Sequence, residues 1–372
     1  MVRLFSIKTS DQMNPKKIVC VTSLVASLSA CGGGNDVSTS PTTTTANAVP
    51  ASVAAAAPGY KISVFAKVPG TLLPDDLLLH GSNIFAIAQD NNNNPDGTAV
   101  AGTSPQSEVI EYDLNGNTIR TFNVPGHPDG LLEYDSHTVW VSSNEDANPE
   151  LIVIDTTANT QQTLTPDAIP VHGGGLDDMK MLNGVVYAAA SNPTLGAATA
   201  AAPNGVSTVP ALYTLTLNPD HQTFHLTPAL MGNATATSIP TNTQVTLNMT
   251  DPDSMAIDPT GSLVVDSQQD SELVFVTNPG ANQSVSVLPL TLYGNSWPVD
   301  DTRWAPSGSS FMLLADNSAQ LIYRIDATAG FTAGTAYSAG QGTLLTVNTS
   351  TGAMTPVYTG MNTPHGLIFV GD

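Results

Sequence analysis

The sequence predicts an all-β fold, a β-propeller of four-stranded blades, and two observations support this prediction. First, a unit made of a short apolar run, a polar turn and a second apolar run recurs six times between residues 59 and 372. Counted from residues 76, 130, 178, 254, 301 and 366, the copies are spaced by 54, 48, 76, 47 and 65 residues. Second, each of the first five copies is followed by further strand-like runs. Four antiparallel strands in a unit of roughly 40 to 50 residues are typical of a propeller blade.

Each of the first five copies opens with a predicted hairpin, because its two apolar runs are joined by a short turn rich in Gly, Ser, Asn or Asp. The predicted third strands are runs such as SEVIEYD and PELIVID, with AQLIYRID in the fifth copy, and the fourth strands are runs such as TIRTFNV and SVSVLPL. The opening segments are PDDLLLHGSNIFAIAQD from Pro74, PDGLLEYDSHTVWVSSN from Pro128, GLDDMKMLNGVVYAAASN from Gly175, DPDSMAIDPTGSLVVDSQ from Asp251, PVDDTRWAPSGSSFMLLADN from Pro298 and the truncated TPHGLIFVGD from Thr363.

The number of blades follows from how the chain ends are used. Six first strands are visible, but only five quartets are complete. We therefore expect the N-terminal strand YKISVFAKV, which starts at Tyr60, to complete the sixth blade and close the ring. Five blades remain an alternative, since residues 327–341 are not assigned to a strand. A β-sandwich of many short strands is a second alternative, and the regular repeat argues against it.

The N-terminal 30 residues predict a secretory signal. Lys16 and Lys17 precede a short apolar stretch that ends in Leu-Ser-Ala-Cys at Cys31. This ending resembles a bacterial lipobox, and the resemblance implies cleavage before Cys31 and lipidation of that cysteine. Gly32 after the cysteine favours, by similarity to Gram-negative lipoproteins, an outer-membrane location facing the periplasm. The alternative is an ordinary signal cleaved at an Ala-x-Ala-like site.

The next segment and the overall charge restrict the partners. Residues 31–58 are rich in Gly, Ser, Thr, Pro and Ala and predict a disordered tether, leaving 59–372 for the propeller. Removal of residues 1–30 would leave 30 Asp and Glu against 6 Lys and Arg, a net charge of −24. Such a surface repels nucleic acid, so no nucleic-acid partner is expected, and membrane contact would be through the lipid anchor alone. We expect a monomer. Since Cys20 lies in the signal, no disulfide or thiolate metal site is expected.

The PDG and PDS first strands, the GSLVVDS second strand and the TPHGL ending resemble a known group of proteins. They are similar to the six-bladed propeller superfamily that includes the gluconolactonase/senescence-marker family, strictosidine-synthase-like proteins and NHL-type repeats. The resemblance implies a ligand and divalent-cation site at one mouth of the central channel. Gluconolactonase-like enzymes hold the metal with a Glu near the first blade and with later Asn and Asp residues. Here Pro74-Asp75-Asp76 stands where their Glu-Gly-Pro would be, so their ligand set does not transfer.

One carboxylate occupies the same position in each full copy of the repeat. In a propeller these side chains would enter the innermost strands at one end of the channel, where converging oxygens suit Ca²⁺ or another divalent cation. The competing interpretation is that each Asp caps its own turn. The residues are Asp75, Asp129, Asp177, Asp253 and Asp300, of which the last four are the candidate metal ligands.

Three histidines are candidate catalytic or metal-binding residues. His127 and His172 precede neighbouring innermost strands, and His365 replaces the Asp in the last copy. Imidazoles at one channel mouth could bind a metal or act as general acid or base. Chance placement in turns is the competing interpretation for each of them.

The function predicted from the sequence is recognition at one channel mouth by a lipid-anchored envelope protein. The ligand would be a small molecule, a polymer or an envelope protein, and the sequence contains no sign of an organic cofactor. The alternative is a metal-dependent hydrolase of lactones or esters, as in gluconolactonase. The sequence leaves open whether the protein is an enzyme, because it shows no nucleophile–base pair and no complete metal set.

Overall fold

The first blade shows the unit that the chain repeats. Its four strands pair antiparallel in sequence order, from the innermost to the outermost. In the second strand the side chains from Ile84 to Gln89 are all buried, because both faces of the sheet pack against other blades. The computed structural model describes residues 48–280 and 282–371. After β1 (Ala54–Ala55) and β2 (Tyr60–Lys67), blade 1 comprises β3 (Leu73–His80), β4 (Asn83–Gln89), β5 (Ser107–Tyr112) and β6 (Thr118–Val124).

Blades 2, 3 and 4 follow the same plan. Each is a four-stranded antiparallel meander whose first strand is innermost. Blade 2 comprises β7 (Pro128–Asp135), β8 (Thr138–Ser143), β9 (Glu150–Asp155) and β10 (Thr160–Pro166). Blade 3 comprises β11 (Met179–Leu182), β12 (Val185–Ala189), β13 (Pro210–Leu217) and β14 (Thr223–Met231). The hairpin of β15 (Thr235–Ser238) and β16 (Gln244–Thr246) precedes blade 4, which comprises β17 (Pro252–Ile257), β18 (Leu263–Ser267), β19 (Glu272–Thr277) and β20 (Ser284–Pro289).

The last two blades are interleaved in sequence. After one strand of blade 5 the chain passes into blade 6 for two strands, returns to blade 5 for three, and ends as the innermost strand of blade 6. The remaining elements are β21 (Thr291–Leu292), β22 (Asn295–Ser296), β23 (Asp301–Trp304), β24 (Ser309–Asp316), the 3₁₀ helix η1 (Asn317–Ala319), β25 (Leu321–Ala327), β26 (Ala336–Gly340), β27 (Thr343–Val347), β28 (Ala353–Thr359) and β29 (Pro364–Gly371).

The hairpin expected in the fifth copy is therefore wrong. β23 pairs with β26, whereas β24 pairs with β25 and β29. β23 has only four residues, while β24 and β29 have eight each and pair along most of their length. The linker at residues 305–308, which looks like a hairpin turn in the sequence, instead carries the chain from one blade to the next. The predicted third strand AQLIYRID is β25 and belongs to blade 6.

The prediction that the N-terminal strand closes a six-bladed ring is confirmed. β2 pairs antiparallel with β25 and is the outermost strand of the sheet that has β29 innermost. The strands β2 and β29 thus both lie in blade 6. The residues assigned to the end of the tether also contact the propeller, because Ala54 and Ala55 pair with Thr359 and Tyr358 of β28.

The buried hydrophobic side chains are distributed around the ring of blades. Six clusters of them are found in the described part of the chain, and each lies between two neighbouring blades. The cluster that joins Leu77 and Ile84 of blade 1 to Leu313 and Ile322 of blade 6 closes the circle. A sandwich would have one core between two sheets, so this distribution excludes it.

Several outer edges are covered by a further strand. The short strands β15 and β21 pair in parallel with β20 and β28, and the outermost strands of blades 2 and 3, β10 and β14, pair in parallel with each other. Such pairing covers backbone groups that an outermost strand would otherwise expose. No helix in residues 48–280 or 282–371 is long and apolar enough to cross a membrane. The predicted signal and Cys31 lie outside the described residues.

Candidate functional site

One side chain from each blade lines the mouth of the central channel. The repeat places these residues at or next to the start of the innermost strand, so the six strands bring them together. They surround a cavity of about 220 Å³, which we call the cup. The six are Asp75, Asp129, Asp177, Asp253, Asp300 and His365, and the cup is also lined by His127, Glu145, Asp251, Gln89 and Gln268.

The cup brings buried carboxyl groups close together. Burial raises the pKa of Asp129, Asp177 and Asp253 well above the usual range, and neighbouring carboxylates raise them further. Burial, followed by repulsion from Asp129, raises the pKa of Glu145 to about 9. Burial likewise raises the pKa of Asp251 to about 6. A carboxylate with a raised pKa is unfavourable in its charged form, so a cation in the cup would relieve the repulsion.

His365 neutralises one side of the cup. Its Nδ1 lies 2.6 Å from Asp75 Oδ1 and 3.7 Å from Asp300 Oδ1, in the blades on either side. Burial disfavours the imidazolium, but Asp300 and Asp75 outweigh this and raise the pKa of His365 to about 10. The sixth position of the ring is therefore occupied by the protein's own cation. His365 of blade 6 forms ion pairs with Asp300 of blade 5 and Asp75 of blade 1.

The opposite side contains a cluster with metal-ligand spacing. One ligand atom each of His127, Asp129 and Glu145 lies within 4.8 Å of the others. His127 Nδ1 is 3.0 Å from Asp129 Oδ1 and 4.0 Å from Glu145 Oε1. Asp177 of blade 3 and Asp253 of blade 4 line the same part of the ring. A mixed set of imidazole and carboxylate donors suits divalent cations from Mn²⁺ to Zn²⁺, and the carboxylates alone suit Ca²⁺.

Asp129 has one carboxylate oxygen that is buried without a hydrogen-bond partner in the described residues. Its Oδ1 accepts a hydrogen bond from Gln89 Nε2 at 3.0 Å, and Gln89 Nε2 also donates to the carbonyl of Pro128. Its Oδ2 is buried and has no hydrogen-bond partner in the described residues. A buried carboxylate oxygen without a donor is costly unless a ligand or ion binds it.

His172 lies apart from the cup. It is fully buried, its Nε2 donates to the carbonyl of Gly175 at 2.8 Å, and its Nδ1 lies 3.0 Å from the hydroxyl of Tyr213. A carbonyl can only accept, so the proton is on Nε2 and the Tyr213 hydroxyl donates to Nδ1. Burial lowers the pKa of His172. Both nitrogens of this neutral imidazole are thus hydrogen-bonded, one to the blade 2–3 connection and the other to β13 of blade 3.

The sequence reasoning missed four residues that line the cup. Gln89, Glu145, Asp251 and Gln268 come from the ends of second strands or from loops beside the ring. For the two glutamines a signal was present in the sequence, because an amide residue follows the apolar second strand in all five full copies. These amides are Gln89, Asn144, Asn192, Gln268 and Asn317.

A second cavity adjoins the cup at the junction of blades 5 and 6. It has a volume of about 480 Å³ and shares Gln268, Asp300 and His365 with the cup. Val299, Met361 and two prolines form the apolar part of its wall, and Gln341, Asn362 and Thr363 add neutral polar side chains. Anything bound in the cup could therefore extend into this groove.

Comparison with known proteins concerns the fold. No family model matches the chain, and no curated protein matches it. Solved structures do match. A candidate gluconolactonase has 9% identity over 83% of both chains with a TM-score of 0.45. A streptogramin B lyase has 12% identity over 84% of this chain and 95% of its own, with a TM-score of 0.44.

A candidate 6-phosphogluconolactonase from Bacteroides uniformis has 11% identity over 80% of this chain and 87% of its own, with a TM-score of 0.44. The chain is a six-bladed β-propeller. Identities this low concern architecture alone, and they carry no argument about what the cup binds.

Proposed function

We propose that the cup binds a divalent cation on the side formed by blades 2, 3 and 4, and that this cation serves recognition at the channel mouth. The observation that carries the proposal is the Asp129 carboxylate, which has a buried, unpartnered Oδ2 and one oxygen within 4.8 Å of ligand atoms of His127 and Glu145. His365 already serves Asp75 and Asp300. The carboxylates of Asp129, Glu145, Asp177 and Asp253 are those that still need a counter-ion.

The lining favours a small, hard ion over an organic cation. In the described part of the chain the cup has no aromatic wall other than its two imidazoles, whereas sites for organic ammonium groups use aromatic faces. Four carboxyl groups offer up to eight oxygens, which meets the coordination that Ca²⁺ takes. His127 adds the nitrogen donor that Mn²⁺ or Zn²⁺ would use.

Recognition is the role that these features support best. A bound cation exposed at the mouth can accept an oxygen donor from a ligand, and the groove between blades 5 and 6 leaves room for the rest of a small molecule, or of a segment of a polymer or envelope protein. The cation would be held by Asp129, Glu145, Asp177 and Asp253.

A second candidate function is hydrolysis of a lactone or ester, and the position of His127 is the observation that favours it. His127 is partly exposed beside Asp129 and Glu145, so it could accept a proton from water at the mouth. A bound cation would supply Lewis acidity to such a reaction.

The lipid anchor is part of the proposal. With the predicted signal processed, Cys31 would tether the propeller to the bacterial envelope, with the outer membrane facing the periplasm as the expected site. Replacing Cys31 by Ser should move the protein from the membrane fraction to the soluble fraction. Retention in the membrane fraction would contradict the anchor and leave the cup untouched.

Titration calorimetry tests the cup itself. Protein stripped with a chelator is titrated with Ca²⁺, Mn²⁺ and Zn²⁺, and we expect one of them to bind and to raise the melting temperature. Absence of both heat and thermal shift for all three would refute the cation site. Turnover of lactones or esters by the loaded protein would select the hydrolase over recognition alone.

A further inference from the structure

Three aspartates, two of which also line the cup, tie neighbouring blades together. Each follows a cup residue by one position, and each accepts a hydrogen bond from a backbone N–H of the next blade. Asp76 accepts from Leu131 at 2.8 Å, Asp178 from Met255 at 2.9 Å and Asp301 from Leu367 at 2.8 Å. Blades 1 and 2, 3 and 4, and 5 and 6 are thus joined in pairs.

The sequence alternates in step with these contacts. Where blades 1, 3 and 5 have the second aspartate, blades 2, 4 and 6 have Gly130, Ser254 and Gly366. A Cβ on Gly130 would lie 2.6 Å from the Cα of Asp178, and a Cβ on Gly366 would lie 2.7 Å from the Cα of Asp76. The small residues therefore let the blades that are not joined by an aspartate approach at the backbone.

Arg303 lies at the centre of the three aspartates. Its Nη1 donates to Asp301 Oδ1 and, at 2.8 Å, to the carbonyl of Met255. Its Nη2 lies 3.8 Å from Asp76 Oδ1 and 3.7 Å from Asp178 Oδ2. One planar guanidinium thereby meets carboxylates from blades 1, 3 and 5, which a single ammonium group cannot do with the same geometry.

We propose that Arg303 is a positioning residue for the cup. It would hold the three aspartates and so fix the direction in which Asp75, Asp177 and Asp300 point. The predicted effect of Arg303 on cation affinity rests on the proposed function. Its predicted effect on the backbone hydrogen bonds between blades is independent of that function.

Two effects of removing Arg303 have opposite signs, which makes the inference testable. Loss of a positive charge near the cup favours a bound cation by Coulomb attraction. Loss of positioning disfavours it, because ligands that are no longer held by their supporting contacts bind metal about 10- to 100-fold more weakly. Lys180 provides the matched control, because its Nζ lies 2.5 Å from Asp178 Oδ2 in the same layer. The Lys180→Met variant removes the same charge without removing a contact of Asp76 or Asp301.

The experiment compares Arg303→Met, Arg303→Lys and Lys180→Met in the full-length chain. We expect Arg303→Met and Arg303→Lys to weaken binding of the cation that the wild type binds by about 10-fold or more, and Lys180→Met to leave it equal or tighter. Amide hydrogen exchange without cation should accelerate at Leu131, Met255 and Leu367 in both Arg303 variants and not at all three in Lys180→Met.

Either of two results would overturn the inference: Arg303 variants that bind as tightly as Lys180→Met, or unchanged exchange at the three amides. If Arg303→Met does not fold, Arg303→Lys, which keeps the charge, decides the matter. If the wild type binds no cation, the proposed function fails, and the exchange measurement still decides the role of Arg303.

Discussion

His365 Nδ1 and Asp75 Oδ1 lie 2.6 Å apart although 290 residues separate them in the chain. The contact joins the last blade to the first at the channel mouth, just where β29 and β3 run side by side. His365 also stands where the other five blades have an aspartate, so the ring has an imidazolium in place of a sixth carboxylate. This one change in the repeat pairs blade 6 with blade 1 by charge and leaves the carboxylates on the opposite side without a cation.

Replacing His365 by Gln tests this pairing. The pKa of His365 is raised to about 10, so its stabilising effect is complete below about pH 6.5, the value in the unfolded chain, and disappears as the pH rises through about 10. We expect the variant to melt below the wild type at about pH 6 and to match it above about pH 10. His225→Gln, which removes an exposed His–Asp pair, should change little. A constant difference at all pH values would contradict the prediction.

Replacing Asp129 by Asn tests the proposed cation ligand. Because burial and neighbouring acids raise the pKa of Asp129, removing its charge should raise the melting temperature of the cation-free protein while weakening cation binding by about tenfold or more. Asp113→Asn is the matched control, since Asp113 is a turn residue in the β5–β6 hairpin and does not line the cup. Equal cation affinity in wild type and Asp129→Asn would remove Asp129 from the site.

The stability of the cation-free protein should fall as the pH rises. Burial raises the pKa of Asp251 to about 6, of Asp300 to about 7 and of Glu145 to about 9. The folded chain then holds protons that the unfolded chain has released, so stability decreases between about pH 4 and pH 9. Melting curves in chelator at several pH values measure this, and saturating cation should flatten the dependence. A rise in stability across this range would refute the pKa shifts.

The two histidines next to innermost strands should behave differently. His172→Gln breaks the contacts with Tyr213 and Gly175 and should lower the free energy of unfolding by about 1 to 3 kcal/mol without changing cation affinity. His127→Gln should weaken cation binding with little effect on stability. Chemical denaturation and calorimetry on both variants check this, and reversed effects would return His172 to the site.

Gly130→Ala tests the close approach of blades 2 and 3. The added Cβ would lie 2.6 Å from the Cα of Asp178 and 2.9 Å from the carbonyl oxygen of Asp177. We expect a loss of about 1 to 3 kcal/mol or more in the free energy of unfolding, as for overpacked cores. Gly371→Ala, whose Cβ would meet nothing nearer than 3.5 Å, is the control. A stable Gly130→Ala variant would mean that the blades can separate there.

The repeat made much of the site predictable. Its first strands carry Asp129 and Asp177 at equivalent positions, and a propeller must bring equivalent positions to one axis, so the ring followed from sequence spacing. Glu145 was missed because it follows the end of a second strand, outside the motif that was compared. Arg303 was missed because its role depends on carboxylates from three blades, none of which is near it in the sequence except Asp301.

The sequence by itself determined the strand period, the blade count favoured and the identity of the residue that each blade sends to the mouth, because these are local patterns repeated along the chain. The tertiary structure alone decided that β23 and β24 belong to different blades, since partner choice depends on which strand edge offers the longer pairing. It alone decided that His127 faces the cup while His172 does not. It also placed Arg303 among Asp76, Asp178 and Asp301, because burial and charge pairing between blades are set by contacts that sequence spacing does not encode.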